Sequence, residues 1–151
     1  PRTGTLKVNV CYEDSHVGEG EIGYAGPGAP DRADLAASIV EERLERRGID
    51  PEELHVDRIG IDSLHGDFGR RHAAEPYEVR LRVAARCRTE RAARAVANEV
   101  ETLYTNGPAG GGGVTTDVRR VVGIASTLID RDLVEPTVTL HPGGRSVEVS
   151  R

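Results

Sequence analysis

The chain of 151 residues has no methionine and no tryptophan, and it has one phenylalanine, four tyrosines, one lysine and two cysteines. Each shortage excludes something. So few aromatics cannot build the base-stacking platform of an RNA-recognition sheet. The net charge of −5 argues against a general nucleic-acid binder, since neutralising phosphates takes a surplus of Lys and Arg. No run approaches the roughly 18–20 apolar residues of a membrane span, and no charged-then-apolar leader opens the chain. A cytoplasmic location with neither membrane nor nucleic acid as partner is the expectation. Cys11 and Cys87 are too few for a disulfide framework, and without C-x-x-C or H-x-x-x-H spacing they predict neither a metal site nor a cofactor. The absence of methionine predicts a removed initiator or the edge of a longer protein.

What is present describes a globular domain: 37% apolar and 30% charged residues, with 18 glycines. Charge is segregated. Residues 13–57 hold 13 acids against 4 bases, whereas residues 70–94 hold 8 arginines against 3 acids.

Period-two alternation predicts a first strand over residues 6–12. A Gly/Pro-rich stretch, 18–30, then reads as a loop ending at Asp31, a helix N-cap. The helix runs to about Arg47, with Leu35, Ala36, Ile39, Val40 and Leu44 on its apolar face. A second strand is expected at 54–62, a polar loop at 63–76 and a third strand at 77–86. A second helix spans about 90–104, carrying Ala93, Val96, Ala97, Val100, Leu103 and Tyr104 as its stripe. A fourth strand follows at 118–128. The order is β-α-β-β-α-β, a ferredoxin-like α+β sandwich: a four-stranded antiparallel sheet with two helices on one face. Residues 1–130 form this domain. Residues 131–151 form an extension with a hairpin, Val138 and Leu140 against Val147 and Val149.

Several clusters carry candidate chemistry. Ser63, His65 and Asp67 place hydroxyl, imidazole and carboxylate in one loop, the residue types of a nucleophile, a general base and an orienting acid. The same loop also reads as local turn chemistry. Two glycine-rich segments are candidate ligand or partner loops: Gly18, Glu19, Gly20, Tyr24 and Gly26 before the first helix, and Asn106, Gly107, Gly110, Gly111 and Gly112 after the second. The second loop leaves a helix C-terminus, where exposed carbonyls disfavour phosphate. In the first, Pro27 and Pro30 lack N–H groups and acids already stand at the helix start. On the third strand Arg80, Arg82 and Arg86 point to the open sheet face, together with Lys7 and Asn9 of the first strand. A cationic face follows, either docking an acidic partner or pairing its charges across strands.

Three stretches carry a family resemblance: Val17-Gly-Glu-Gly-Glu-Ile-Gly-Tyr-Ala-Gly-Pro-Gly28; Ile59-Gly-Ile-Asp-Ser-Leu-His-Gly66 with Glu75-Pro-Tyr-Glu-Val-Arg-Leu-Arg-Val-Ala84; and Asn98-Glu-Val-Glu-Thr-Leu-Tyr-Thr-Asn-Gly-Pro-Ala-Gly-Gly-Gly-Gly113. Over about residues 5–130 the chain resembles the C-terminal portion of acyclic terpene utilisation proteins of the AtuA type. The resemblance implies a ferredoxin-like fold following a larger N-terminal domain. It also implies a place in bacterial breakdown of branched acyclic terpenoid acids as acyl-CoA thioesters, but no catalytic residue carries over. The expected function is a domain or small subunit of an enzyme of acyl-CoA or carboxylic-acid metabolism, completing a site with the larger AtuA-type domain or subunit. A coenzyme A thioester is then the substrate class. The alternative is a non-catalytic assembly module, and a homo- or hetero-oligomer suits either.

Overall fold

The computed structural model describes residues 3–72, 75–140 and 147–149. Its elements are β1 (Thr5–Ala25), α1 (Ala29–Arg46), β2 (Glu53–Ile59), α2 (Asp67–His72), β3 (Glu78–Cys87), α3 (Glu90–Asn106), β4 (Gly111–Asp130), β5 (Val138–Leu140) and β6 (Val147–Val149). One sheet has the order β2-β3-β1-β4, which with its connections is the ferredoxin-like arrangement. Antiparallel pairing sets Gly20 opposite Val83 and Val56 opposite the same residue.

Two compact units divide the chain, Glu13–Val122 and Pro1–Tyr12 with Gly123–Arg151. The first holds the core: Ile22, Tyr24, Val79, Leu81 and Val83 from the sheet meet Ala33, Ala36, Val40 and Leu44 of α1 and Ala93, Val96, Val100 and Leu103 of α3. In the second, Val138 pairs with Val149 and Leu140 with Val147; the connecting residues 141–146 lie outside the described residues. No helix among the described residues is long and apolar enough to cross a membrane.

The largest departure from the sequence reading is β1. It runs 21 residues, so Gly18, Glu19, Gly20 and Tyr24 belong to a central strand and not to a loop. The glycines are there for packing. A Cβ on Gly18 would sit 1.8 Å from the Ala93 carbonyl oxygen, and one on Gly20 2.5 Å from Val100 Cβ. With no side chains at these two positions, α3 can lie directly on the strand. The alternate residues, Glu19 and Glu21, point to the other face.

Four smaller corrections follow. The part of β1 that pairs with β3 is 16–25, so Lys7 and Asn9 do not stand beside the arginines; His16 stands opposite Cys87. Helix α1 starts at Ala29 with Gly28 at φ 72° as its N-cap, without the side-chain cap expected of Asp31. The proline after Ala29 suits that first turn, where an N–H has no partner to lose. Strand β4 starts at Gly111, seven residues before Val118. Within the loop of residues 63–76 the short helix α2 forms.

Helix α3 has the extended Thr89 as N-cap, its hydroxyl accepting from the Ala92 N–H at 3.2 Å. Its one buried acid, Glu99, is 1% exposed and accepts hydrogen bonds from Arg43 of α1 and from Arg47, which caps that helix. The pair of arginines supplies the charge compensation a buried carboxylate requires, and ties the two helices together.

Candidate functional site

Helix α3 ends without a basic residue in its last turn; the Gly107 N–H reaches the Leu103 carbonyl at 2.9 Å and the chain turns away extended. Around this helix end and the start of β4 lies an open groove of about 750 Å³, walled by Asn98, Glu101, Thr102, Thr105, Asn106 and Val114 among others. Asn106, foreseen as a site residue, lines it. Its amides and hydroxyls can both donate and accept, while Glu101 and the helix-end carbonyls make it repel anions.

The glycines of this segment answer to separate demands. Gly110 and Gly113 are left-handed, at φ 78° and 63°. A Cβ on Gly107 would lie 2.5 Å from the Leu103 oxygen, and one on Gly111 would meet the Ile22 methyl at 2.8 Å and the Tyr24 ring at 3.1 Å. Gly112 faces open space. Gly111 therefore lets the start of β4 close over the core.

The two glycine-rich segments meet through a residue the sequence reading passed over. The Arg32 guanidinium donates to the carbonyls of Ala25 at 2.6 Å, Pro27 at 3.3 Å, Gly28 at 3.3 Å and Ala109 at 2.9 Å. Thus Gly26, at φ 90°, and Gly110 flank one shared clamp. An arginine in the first turn of a helix opposes the dipole, and that oddity was the signal available in the sequence. With its donors directed at carbonyls, Arg32 is not offered to a phosphate. Beneath it Tyr24 is fully buried; its hydroxyl has no hydrogen-bond partner among the described residues, and burial pushes its pKa above the usual 10.0.

Ser63 and His65 occupy the turn between β2 and α2 and Asp67 opens α2, and no hydrogen bond links the three among the described residues. His65 and Asp67 are exposed. Phe68 stacks on His72 with ring centroids 4.2 Å apart. The polar order of this turn belongs to other residues: Asp34 of α1 accepts from Arg58 at 2.8 Å and from Arg70 at 2.8 and 2.9 Å, and Arg70 also reaches Asp62 at 3.1 Å. The Arg70 hydrogen bonds hold the Asp34 carboxyl below its usual range.

The open sheet face carries its own counter-ions: of the two readings of its arginines, the pairing of charges across strands is the one the structure displays. Arg80 pairs with Glu21; Arg82 binds Glu19 at 2.9 Å and Asp57 at 3.1 Å; Arg86 reaches Asp14 at 2.7 Å. The cross-strand register explains this, since Arg82 stands between Glu21 of β1 and Asp57 of β2. Arg82 lowers the Glu19 pKa, chiefly through its hydrogen bond. Between Arg82 and Arg86 the small Ala84 leaves a shallow concavity of about 270 Å³, rimmed by His55, Val17 and Arg119.

The fold and these surfaces stand beside one positive comparison. The chain belongs to the acyclic terpene utilisation family of AtuA proteins, whose family model matches residues 1–140. Searches of curated proteins and of solved structures gave no match.

Proposed function

We propose, from the premise of membership in this family, that the chain works in acyclic terpene utilisation as one half of an enzyme acting on a branched carboxylic acid carried as its coenzyme A thioester. The groove at the end of α3 then meets the uncharged part of that substrate. The observation carrying this reading is the match over residues 1–140, which includes the whole Tyr104–Gly113 run beside the groove. The chemistry of the groove narrows the part of the substrate it takes. Phosphates are turned away by Glu101 and by the carbonyl end of the helix dipole, whereas the amides of the pantetheine arm match Asn98, Thr102 and Asn106. Ser63, His65 and Asp67 stand outside the groove, so the reacting groups are assigned to a larger AtuA-type partner domain or subunit.

Calorimetric titration with a branched acyl-CoA and with free adenosine 3′,5′-bisphosphate tests this. The thioester should bind and the nucleotide should not, and Asn106→Ala with Thr102→Val should weaken the thioester about tenfold or more, as befits two lost hydrogen bonds. Equal binding of both ligands, or indifference to the double substitution, overturns the groove assignment. Full turnover by the isolated chain overturns the division of labour.

A further inference from the structure

The two edges of the sheet are guarded very differently. Strand β2 at one edge is 7 residues long, follows Pro51 and carries charges at Glu53, Asp57 and Arg58. Strand β4 at the other edge is 20 residues long, contains neither Pro nor Lys, is rich in Val and Thr, and spaces its charges more widely, at Asp117, Arg119, Arg120 and Asp130. Its inner side pairs with β1. Among the described residues no strand pairs with its outer side. A long edge of unpaired N–H and C=O groups is a template for another strand, and proteins leave one uncovered at the risk of uncontrolled association.

The sequence of β4 says which strand fits. In an antiparallel pairing of β4 with a second β4, a two-fold axis through Val118 sets residue 117 opposite 119 of the copy, and 114 opposite 122. Asp117 then faces Arg119 twice, once on each side of the axis, and Val114 faces Val122. Asp117 and Arg119, 61% and 51% exposed, pair with each other at 2.9 Å within one chain, and the two-fold pairing exchanges that contact for two across the axis. Both lie on the open-sheet side, as the contact of Arg119 with Glu19 shows. Val114 and Val118 lie on the helix side, packed against the core, and Val122 is 54% exposed. Opposite charges at directly opposed positions stabilise a pair of strands, and like charges there oppose it. A two-fold interface must be complementary to itself, and this stretch is.

We propose that two copies of the chain join edge to edge through residues 114–122 of β4, the axis passing at Val118, to make one continuous eight-stranded sheet. The contact is independent of the groove at α3 and of any substrate assigned to it.

Analytical ultracentrifugation of the 151-residue chain should give a species of twice 16.2 kDa at micromolar concentration. Asp117→Arg should raise the dissociation constant about tenfold or more, by setting arginine against arginine at two places. Far-UV circular dichroism and the unfolding midpoint check that the monomeric fold is kept. The double exchange Asp117→Arg with Arg119→Asp should recover the dimer. In a Cys11→Ser background, Val118→Cys should form a disulfide-linked dimer under mild oxidation, whereas Thr116→Cys, opposite Arg120 of the copy, should not. A monomer at these concentrations, a dimer indifferent to Asp117→Arg, or equal cross-linking at 116 and 118 would each overturn the proposal.

Discussion

Single residues decide how closely the layers approach, and the glycines show it best. Gly18 and Gly20 have ordinary strand conformations, so their role is the space a side chain would take from α3. Gly18→Ala drives a methyl into a backbone carbonyl that the helix cannot withdraw without moving, and should destabilise by about 3 kcal/mol or more. Gly20→Ala meets a side chain and should cost about 1–3 kcal/mol. The later run behaves differently: Gly111→Ala, against a movable methyl and a ring edge, should cost about 1 kcal/mol. Gly112→Ala, in open space at ordinary φ, should be neutral or stabilise by about 0.4–1 kcal/mol through the unfolded chain. Denaturant unfolding of the four variants should rank them in that order. A destabilised Gly112→Ala together with a tolerated Gly18→Ala would contradict the packing explanation.

At the scale of elements, α1 and the turn after β2 are held together by charge. Asp34, whose carboxyl Arg70 holds below its ordinary 3.8, contributes stability that is present above that value and lost as pH falls through the lower folded one. The pair is exposed enough for solvent to screen it, so the effect is small, about 1 kcal/mol or less. Asp34→Asn should therefore lower the unfolding midpoint at pH 7 and leave it unchanged near pH 2; a pH-independent difference would mean lost packing instead. The elements themselves were unequally legible. The helices announced themselves through stripes such as Ala93, Val96, Val100 and Leu103, and β3 through strict alternation of Val79, Leu81 and Val83. Strand β1 was cut short because Gly18-Glu-Gly-Glu-Ile-Gly-Tyr24 keeps period two with glycine in the inward places, where hydrophobicity gives no signal. The same masking hid the first residues of β4. Of the candidate site, Asn106 was legible as the end of a helix beside an unusual run. Arg32 was readable only as a cation at the wrong end of a dipole. Glu99 was not readable at all, since a glutamate in a helix gives no sign that two arginines of another helix will close over it.

Across the whole molecule, charges that the sequence keeps apart are reunited by the fold. The acids of residues 13–57 come from β1, α1 and β2, the arginines of residues 70–94 largely from β3, and antiparallel pairing threads the arginine strand between two acidic ones. Net charge along the chain therefore says little about the charge of the surface. Arg82 is the centre of this arrangement, within reach of Glu19, Glu21 and Asp57. Its replacement by methionine preserves most of the aliphatic stem and removes the cation shared by Glu19, Glu21 and Asp57, leaving Arg119 beside Glu19 and Arg80 beside Glu21. The expected loss is about 1–3 kcal/mol at pH 7, the range for charged hydrogen bonds that are partly screened. Its pH dependence distinguishes charge from packing. Glu19 is held below its ordinary 4.5 by Arg82, so the stability this pair contributes is present above pH 4.5 and disappears as pH falls through the lower folded value. In the methionine variant the carboxylates repel while ionised, and protonation relieves them. Wild type and variant should thus converge in unfolding free energy as pH is lowered from 7 through 4.5 and below, measured by denaturant titration at several pH values. A gap that stays constant across that range would show that Arg82 acts through its stem alone, and the ion pairs of the open face would then contribute nothing to holding the sheet together.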